Sequence, residues 1–169
     1  MTIETKIGIG ASMPRREDAR LLSGRGRFTD DLLLPRMAHA AMFGSPHAHA
    51  RIVSIDTAAA AALKGVLGVF TGKDLAGVMG PMPTLAPPVV QHCVAIERAR
   101  HVGEPIAVVV AESRYIAEDA VALIEVEFEE LPVVVDPEAA VKSTGNAVLH
   151  PEFGSNIVHQ SRHAWGPVE

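Results

Sequence analysis

The clearest hydrophobic pattern in the chain lies in its second half. The stretch "EPIAVVVAE" (residues 104–112) is a continuous apolar run, which predicts a strand covered on both faces. Ser113 is then placed to cap a helix with an apolar stripe, formed by Ile116, Ala120, Leu123 and Ile124. Residues 125–130, "EVEFEE", alternate strictly between polar and apolar, as expected of a half-exposed strand.

The first half shows a similar mixture of elements. Residues 37–45 and 51–56 read as two strands joined by a turn at Pro46, and residues 66–70 as a third strand. The stretch "TAAAAALKG" between them predicts a short helix that stops at Gly65. Thr71 and Asp74 have the spacing of a capping box, which predicts a further helical turn.

The end of the chain is less regular. Residues 131–136 read as another strand, after which Asp136 caps a helix with Pro137 at its first position. The 169 residues favour one α+β domain, with an irregular arm at 1–36, a core at 37–141 and an irregular segment at 142–169. Residues 77–90 are rich in proline and glycine and predict a loop long enough to contact a neighbour.

Composition and charge narrow the class of protein. The formal net charge of −5 and the lack of a Lys/Arg cluster argue against a nucleic-acid partner. The one cysteine, Cys93, excludes an intramolecular disulfide and a cysteine-ligated cluster within the chain. The N-terminal residues lack the apolar region of a signal peptide, and the run at 105–111 is too short to span a bilayer. We therefore expect a cytoplasmic protein without membrane insertion.

Motifs for phosphate binding are incomplete. "GIGASM" has Met13 where the third glycine of a dinucleotide loop should stand, and "GRGRFT" fails likewise at Thr29. "TGKD" has Leu67 in place of the leading glycine of a P-loop, and Asp74 where Ser or Thr would hold magnesium. Nucleotide binding is therefore not predicted.

Carboxylates and the cysteine are weak candidates for catalysis. Four carboxylates of the alternating strand could suggest acid/base chemistry, but their alternation favours a solvated face; they are Glu125, Glu127, Glu129 and Glu130. Cys93 follows His92 directly, and adjacent side chains in an extended chain point apart, so a small buried thiol is the simpler interpretation.

Three histidines form the remaining candidate. His47 and His49 lie two residues apart in "SPHAHARI", and His39 precedes them. Two metal ligands at this spacing would need further ligands nearby, and no partner segment rich in carboxylates or cysteines stands out. A stand-alone metal or small-ligand site at this trio is kept as the alternative to packing or an interface. No nucleophile, base and orienting group come together by pattern.

Several long stretches in succession resemble one family. They are "MPRREDARLLSGRGRFTDDLLLPRMAHAAMFGSPHAHARIVSID", "GVLGVFTGKDL", "HVGEPIAVVVAESRYIAEDAVALIEVEFEELPVVVDPEAAV" and "VLHPEFGSNIVHQSRHAWGPVE". Together they resemble the opening of the large subunits of bacterial molybdenum hydroxylases. This group contains xanthine dehydrogenase, aldehyde oxidase and aerobic carbon monoxide dehydrogenase. The resemblance extends over nearly the whole chain.

The resemblance implies an α/β-hammerhead domain, a mixed sheet with two or three helices, that precedes the molybdopterin-binding domains. No stretch matches the family's cofactor loops or its catalytic glutamate, so no catalytic or cofactor-binding residue is expected here, and this chain alone would be inactive. The full assembly would contain molybdopterin-bound molybdenum, 2Fe-2S clusters and FAD. It would oxidise carbon monoxide or hydroxylate a purine, an aldehyde or an N-heterocycle.

The implied role is structural and docking. The chain would support the molybdopterin-binding domains and contact the iron–sulfur small subunit and the FAD-binding medium subunit. The candidate contact residues are Arg25, Arg27, Asp30, Asp31, His47 and His49. The short length is expected either of part of a large subunit or of a large subunit split between genes.

Overall fold

The chain divides into two units, Met1–Met37 and Ala38–Glu169, in a computed structural model that describes residues 8–11, 15–83 and 89–166. The first unit contains the short helix α1 (Asp18–Leu22) and a 3-10 turn at Thr29–Asp31. The turn is closed by its own carboxylate, because Asp31 Oδ2 accepts a hydrogen bond of 2.9 Å from the backbone N–H of Phe28.

The second unit is built on two antiparallel sheets of three strands each. The first sheet has the order β1 (His39–Gly44), β5 (Pro105–Ala111), β3 (Val66–Thr71), and the second has β4 (Arg98–Ala99), β2 (Ala50–Asp56), β6 (Glu125–Glu130). The helices are α2 (Ala58–Ala62), α3 (Gly72–Leu75), α4 (Arg114–Val121) and α5 (Pro137–Val141). This small α/β fold with few helices confirms the predicted fold class. The strands form two sheets with antiparallel pairing in every described pair, where we expected one mixed sheet.

The main core lies between the first sheet and the helices packed on it. Its buried members are mostly small: Ala60, Ala107, Val109, Ala111, Ala117, Ala120 and Ile124. Ala107, Val109 and Ala111 alternate along β5, and Ala117 and Ala120 lie one turn apart on α4. The buried face of the strand therefore packs against the buried face of the helix. Because alanine side chains are short, α4 packs closely against the sheet.

The local signals for helix ends are confirmed. Ser113 Oγ accepts a hydrogen bond of 3.3 Å from the N–H of Ile116, and Asp136 Oδ1 accepts one of 2.9 Å from Glu138. Asp74 Oδ2 accepts bonds from both the N–H (2.8 Å) and the hydroxyl (2.6 Å) of Thr71. The bonds to Ser113 and Asp136 satisfy backbone N–H groups that the helix itself leaves without partners.

Three predictions about strands and helices were wrong. Residues 131–136 form no strand, because after the N–H of Leu131 donates to the carbonyl of His49 the chain reaches Pro132, which has no N–H to continue a ladder. The helix α4 ends at Val121, so Leu123 lies beyond it and is exposed, although Ile124 is buried as predicted. The face of β5 that points away from α4 is also not fully covered, since Val108 and Val110 are half-buried.

Candidate functional site

The turn that carries two of the candidate histidines is fixed by Ser45. Its buried hydroxyl donates to the carbonyl of His47 (2.9 Å) and accepts from the N–H of the same residue (3.1 Å). Ser45 follows β1 directly, and its backbone N–H donates to the carbonyl of Glu104. Its carbonyl accepts a bond from the N–H of Gly103, so the turn is joined to the residues just before β5. Gly44 makes this approach possible, because a Cβ there would lie 3.2 Å from the backbone of Gly103.

His49 is a buried, neutral histidine with both ring nitrogens engaged. Only 1% of its surface is exposed, and its Nδ1 lies 2.8 Å from the carbonyl oxygen of Pro132. Because a carbonyl can only accept, Nδ1 carries the hydrogen, and Nε2 is left to face the guanidinium of Arg98 at 3.4 Å. Burial lowers the pKa of His49, and the charges of Arg98 and Arg100 lower it further, against the hydrogen bond to Pro132.

The other two histidines have different surroundings. The ring of His47 packs against that of Phe128 with centroids 4.8 Å apart, and its Nδ1 lies 3.5 Å from a carboxylate oxygen of Glu130. His39 is half-buried at the start of β1, opposite Ala111. Within residues 8–11, 15–83 and 89–166, no group of three or more His, Cys, Asp or Glu side chains is arranged to hold a metal ion. The metal alternative gains no support.

The candidate charges of the N-terminal unit are exposed. Arg25 Nε donates to Ser23 Oγ at 3.0 Å, Asp31 closes its own turn, and Arg27 and Asp30 lie at the surface. More apolar surface accompanies them than we expected: Leu22 is 88% exposed and Leu33 82%. Apolar exposure of this size is typical of contact surfaces, more so than exposed charges are.

The remaining motifs have structural explanations. Glu125, Glu127 and Glu129 point to the exposed face of β6 as predicted, where Glu129 pairs with Arg51 and Glu127 accepts a 3.2 Å bond from Ser54. Asp74 of "TGKD" serves as a helix cap, and its bonds from Thr71 lower its pKa.

Cys93 is only partly buried, with Sγ 3.9 Å from Met79 Sδ, so the interpretation of Cys93 as a small buried thiol was wrong. Residues 12 and 13 of "GIGASM" and residues 84–88 of the proline-rich segment lie outside the described residues.

Comparison with known families gives a direct match. The model described as "Aldehyde oxidase and xanthine dehydrogenase, a/b hammerhead domain" matches residues 23–132. The chain belongs to this family.

Characterised relatives of the hammerhead domain are much longer proteins. The chain is 40% identical to the nicotine 6-hydroxylase large subunit of Paenarthrobacter nicotinovorans, over 98% of this chain and 21% of that one. It is 46% identical to the carbon monoxide dehydrogenase large chain of Afipia carboxidovorans, over 80% of this chain and 17% of that one. The hammerhead chain thus spans about a fifth of the length of the relatives that it matches.

Solved structures agree with this assignment. Quinoline 2-oxidoreductase from Pseudomonas putida 86 superposes with a TM-score of 0.77 and 47% identity, covering 89% of this chain and 20% of that one. Reconstituted CO dehydrogenase from Oligotropha carboxidovorans gives a TM-score of 0.71 and 46% identity, covering 80% of this chain and 17% of that one. Among the described residues, no helix is both long and apolar enough to cross a membrane.

The hammerhead domain also contains a charged cleft that sequence reasoning missed. The cleft has a volume of about 390 Å³ and its lining includes Arg98, Arg100, Glu104 and Glu152. Glu104 is buried and accepts a hydrogen bond from the N–H of Arg100, while Arg100 Nε donates to the carbonyl of Leu149 at 3.0 Å. Burial by itself raises the pKa of Glu152. Hydrogen bonds from its own backbone and from His150, together with the charge of Arg100, outweigh this effect and lower the pKa overall. The spacing of these residues along the chain gave no signal, because they meet only in the fold.

Proposed function

We propose that this chain is the hammerhead part of a molybdenum-dependent hydroxylase or dehydrogenase, where it supports the molybdopterin-binding domains and contacts the iron–sulfur and FAD-binding subunits. The observation that carries the proposal is the match over 98% of the chain to a hydroxylase large subunit, at 40% identity. The domain would serve as a scaffold, and the reaction would take place on the polypeptide that binds molybdopterin.

The described residues of this chain offer no support for a molybdopterin site of their own. Among the described residues that are not exposed, every buried side-chain nitrogen or oxygen has a hydrogen-bond partner, so no buried donor is left for a pterin or a phosphate. The arginines of the cleft are engaged as well, because Arg100 bonds the carbonyl of Leu149 and Arg98 faces His49. We therefore assign no catalytic step to this chain and propose that it is inactive alone.

The exposed apolar and charged segment of the N-terminal unit is the proposed contact with a partner subunit. Residues 22–34 place Arg25, Arg27, Asp30 and Asp31 among exposed leucines. An interface of this kind combines apolar anchors with polar groups around them. His47 is a second proposed contact, since its ring is partly accessible beside Glu130.

Purification from cells that make the chain together with its partners tests the proposal. We expect a tag on this chain to retain a molybdopterin-binding polypeptide with about one molybdenum per chain, and the chain separated from it to carry neither metal nor pterin. Stoichiometric molybdopterin on the separated chain would contradict the scaffold role. Failure of the tagged chain to retain any molybdenum-containing polypeptide would contradict the assembly.

A further inference from the structure

The first sheet has a second apolar face, directed away from α4. In the register of the sheet, Met42, Val108 and Phe70 are direct neighbours across the three strands, and Ala40, Val110 and Gly68 form the next row. Side chains alternate along a strand, so these rows lie opposite the buried Ala107 and Val109. We call these six residues the outer apolar face: Ala40, Met42, Gly68, Phe70, Val108 and Val110.

In the described part of the chain this face is largely exposed. Met42 is 60% exposed and Phe70 41%, while Val108 and Val110 are half-buried. The second sheet behaves differently, because its outward face carries Glu127 and the pair Arg51–Glu129. An antiparallel sheet that faces water normally has such polar residues on its wet side.

The continuous apolar run of β5 therefore has a specific meaning. Strands of this kind occur where both faces are covered, and in the described part of the chain α4 and its neighbours cover one face. The described part of the chain covers only one face of β5, although its apolar run is typical of a strand covered on both faces. We therefore infer that a second layer of structure from outside the described part covers the other face.

The size of the face restricts what that layer can be. Three strands about 4.8 Å apart, each about six residues long at about 3.4 Å per residue, give one whole side of the sheet an area of roughly 300 Å², and the outer apolar face is no larger than that. Stable association of separate proteins normally buries about 800 Å² on each partner, so a second copy docked through this face alone would be held too weakly. A part of the same subunit needs far less area, because its linkage gives a high effective concentration.

The chemistry of the face points the same way. None of its six residues is charged, whereas contacts between separate chains usually have a polar rim. The ring of Phe70 lies along β3 and over Gly68, because a Cβ on Gly68 would be 2.9 Å from that ring. The face is therefore flat at this point. A flat, uncharged sheet face is the kind on which a helix or a second sheet packs inside one domain assembly.

We propose that the outer apolar face is covered by the molybdopterin-binding part of the large subunit, through an uncharged helix or strand surface. The inference rests on the proposed function and adds the surface by which the scaffold holds its cofactor-bearing neighbour. We choose this occupant because the chain matches about a fifth of one continuous large subunit in its relatives. The remaining four-fifths of such a subunit would be the linked neighbour available to cover the face.

Photo-crosslinking in the assembled complex tests the occupant. Benzoylphenylalanine in place of Met42 is expected to crosslink to the molybdopterin-binding polypeptide, or to the corresponding domain if the two are continuous. The matched control is the same probe in place of Tyr115, which is 77% exposed on α4, and it is expected to give no such crosslink. Crosslinks from the Met42 position to an iron–sulfur subunit, a FAD-binding subunit or a second copy of this chain would overturn the proposal.

A pair of substitutions gives the second measurement. Met42→Lys places a charge in the proposed contact and is expected to lower the retained molybdenum polypeptide by about tenfold or more, whereas Tyr115→Lys leaves it unchanged. Oxidation of Met42 by peroxide in the unsubstituted complex needs no variant, and protection relative to the separated chain is expected. If the complex forms but Met42 is oxidised equally in both states, this inference fails while the proposed function stands. If no molybdenum polypeptide is retained by the unsubstituted chain, the proposed function fails first.

Discussion

His49 joins two segments that are far apart in the sequence. Its Nδ1–H bonds the carbonyl of Pro132, 83 residues away, and its other nitrogen faces Arg98. Neutral and buried, it fixes the end of the turn at Ser45 against the segment that follows β6. Its role is to hold backbone in place, which is different from the role of a metal ligand.

Replacement of His49 is therefore expected to lower stability. His49→Ala removes the bond to Pro132 and leaves a cavity, at a cost of about 2–4 kcal/mol in the free energy of unfolding, measured by urea denaturation. His159→Ala, at an exposed position, is the control and is expected to change it by less than about 0.5 kcal/mol. Equal effects of the two substitutions would show that His49 contributes no special contact.

The lowered pKa of His49 predicts a pH dependence. The unfolded chain takes up a proton near the usual pKa of 6.5, whereas the folded chain resists it, so stability is fully present above that pH and falls as pH drops below it. Asp74 and Glu152 also have lowered pKa values, but their contributions are lost only near or below their usual values of 3.8 and 4.5. Unfolding measured between about pH 7.5 and 5.5 should therefore show a slope that is reduced in His49→Ala.

At the scale of the elements, the start of α3 packs unusually close to the segment before β4. Gly72 is buried, and a Cβ there would collide with the backbone carbonyl of Ala95. The contact brings the helical turn at the end of the first sheet against residues that lead into the second sheet. The absence of a side chain is what allows this approach.

Gly72→Ala should expose that requirement. We expect a loss of about 1–3 kcal/mol in the free energy of unfolding, because the collision is with backbone and cannot be relieved by a rotamer change. Gly77→Ala is the matched control, since nothing lies within 4 Å of its Cβ position. A thermal melt of both variants measures the difference, and a Gly72→Ala protein as stable as the control would refute the packing argument.

At the scale of the whole second unit, one amide side chain holds the segment after α5 in place. Asn156 Oδ1 accepts from the N–H of Leu149 (2.9 Å), and its Nδ2 donates to the carbonyls of Ala147 (2.9 Å) and Ala140 (3.2 Å). Arg100 adds a bond to the carbonyl of Leu149. Asn156 and Arg100 thus both hold residues 147–149 in place, and Asn156 ties them to the end of α5.

Asn156→Ala is expected to release this segment. Backbone amide hydrogen exchange should rise by about tenfold or more in residues 145–158 and change little in β5. Asn146→Ala, at an exposed position in the same segment, serves as the control. Unchanged exchange in Asn156→Ala would mean that Arg100 and packing suffice to hold the path.

Sequence reasoning succeeded where the signal is local. The caps at Ser113 and Asp136 involve groups two or three residues apart, so their patterns are visible in the chain itself. It failed for residues 131–136, where an apolar stretch has a proline at the point where pairing would continue. The partners of His49 and Arg100 could not be foreseen, because these contacts span 49 to 83 residues. The contact residues of the N-terminal unit and the cytoplasmic location stay predictions.

The alanine-rich core has a consequence for the life of the chain in the cell. Eight of the thirteen buried hydrophobic residues in the described part are alanines, each of which contributes little burial energy. We expect a chain of this kind, with an exposed apolar sheet face, to have a small margin against unfolding as long as the proposed neighbour does not cover that face. We therefore expect copies made in excess of the proposed neighbour to be degraded first, so that the amount of this chain would follow the amount of that neighbour.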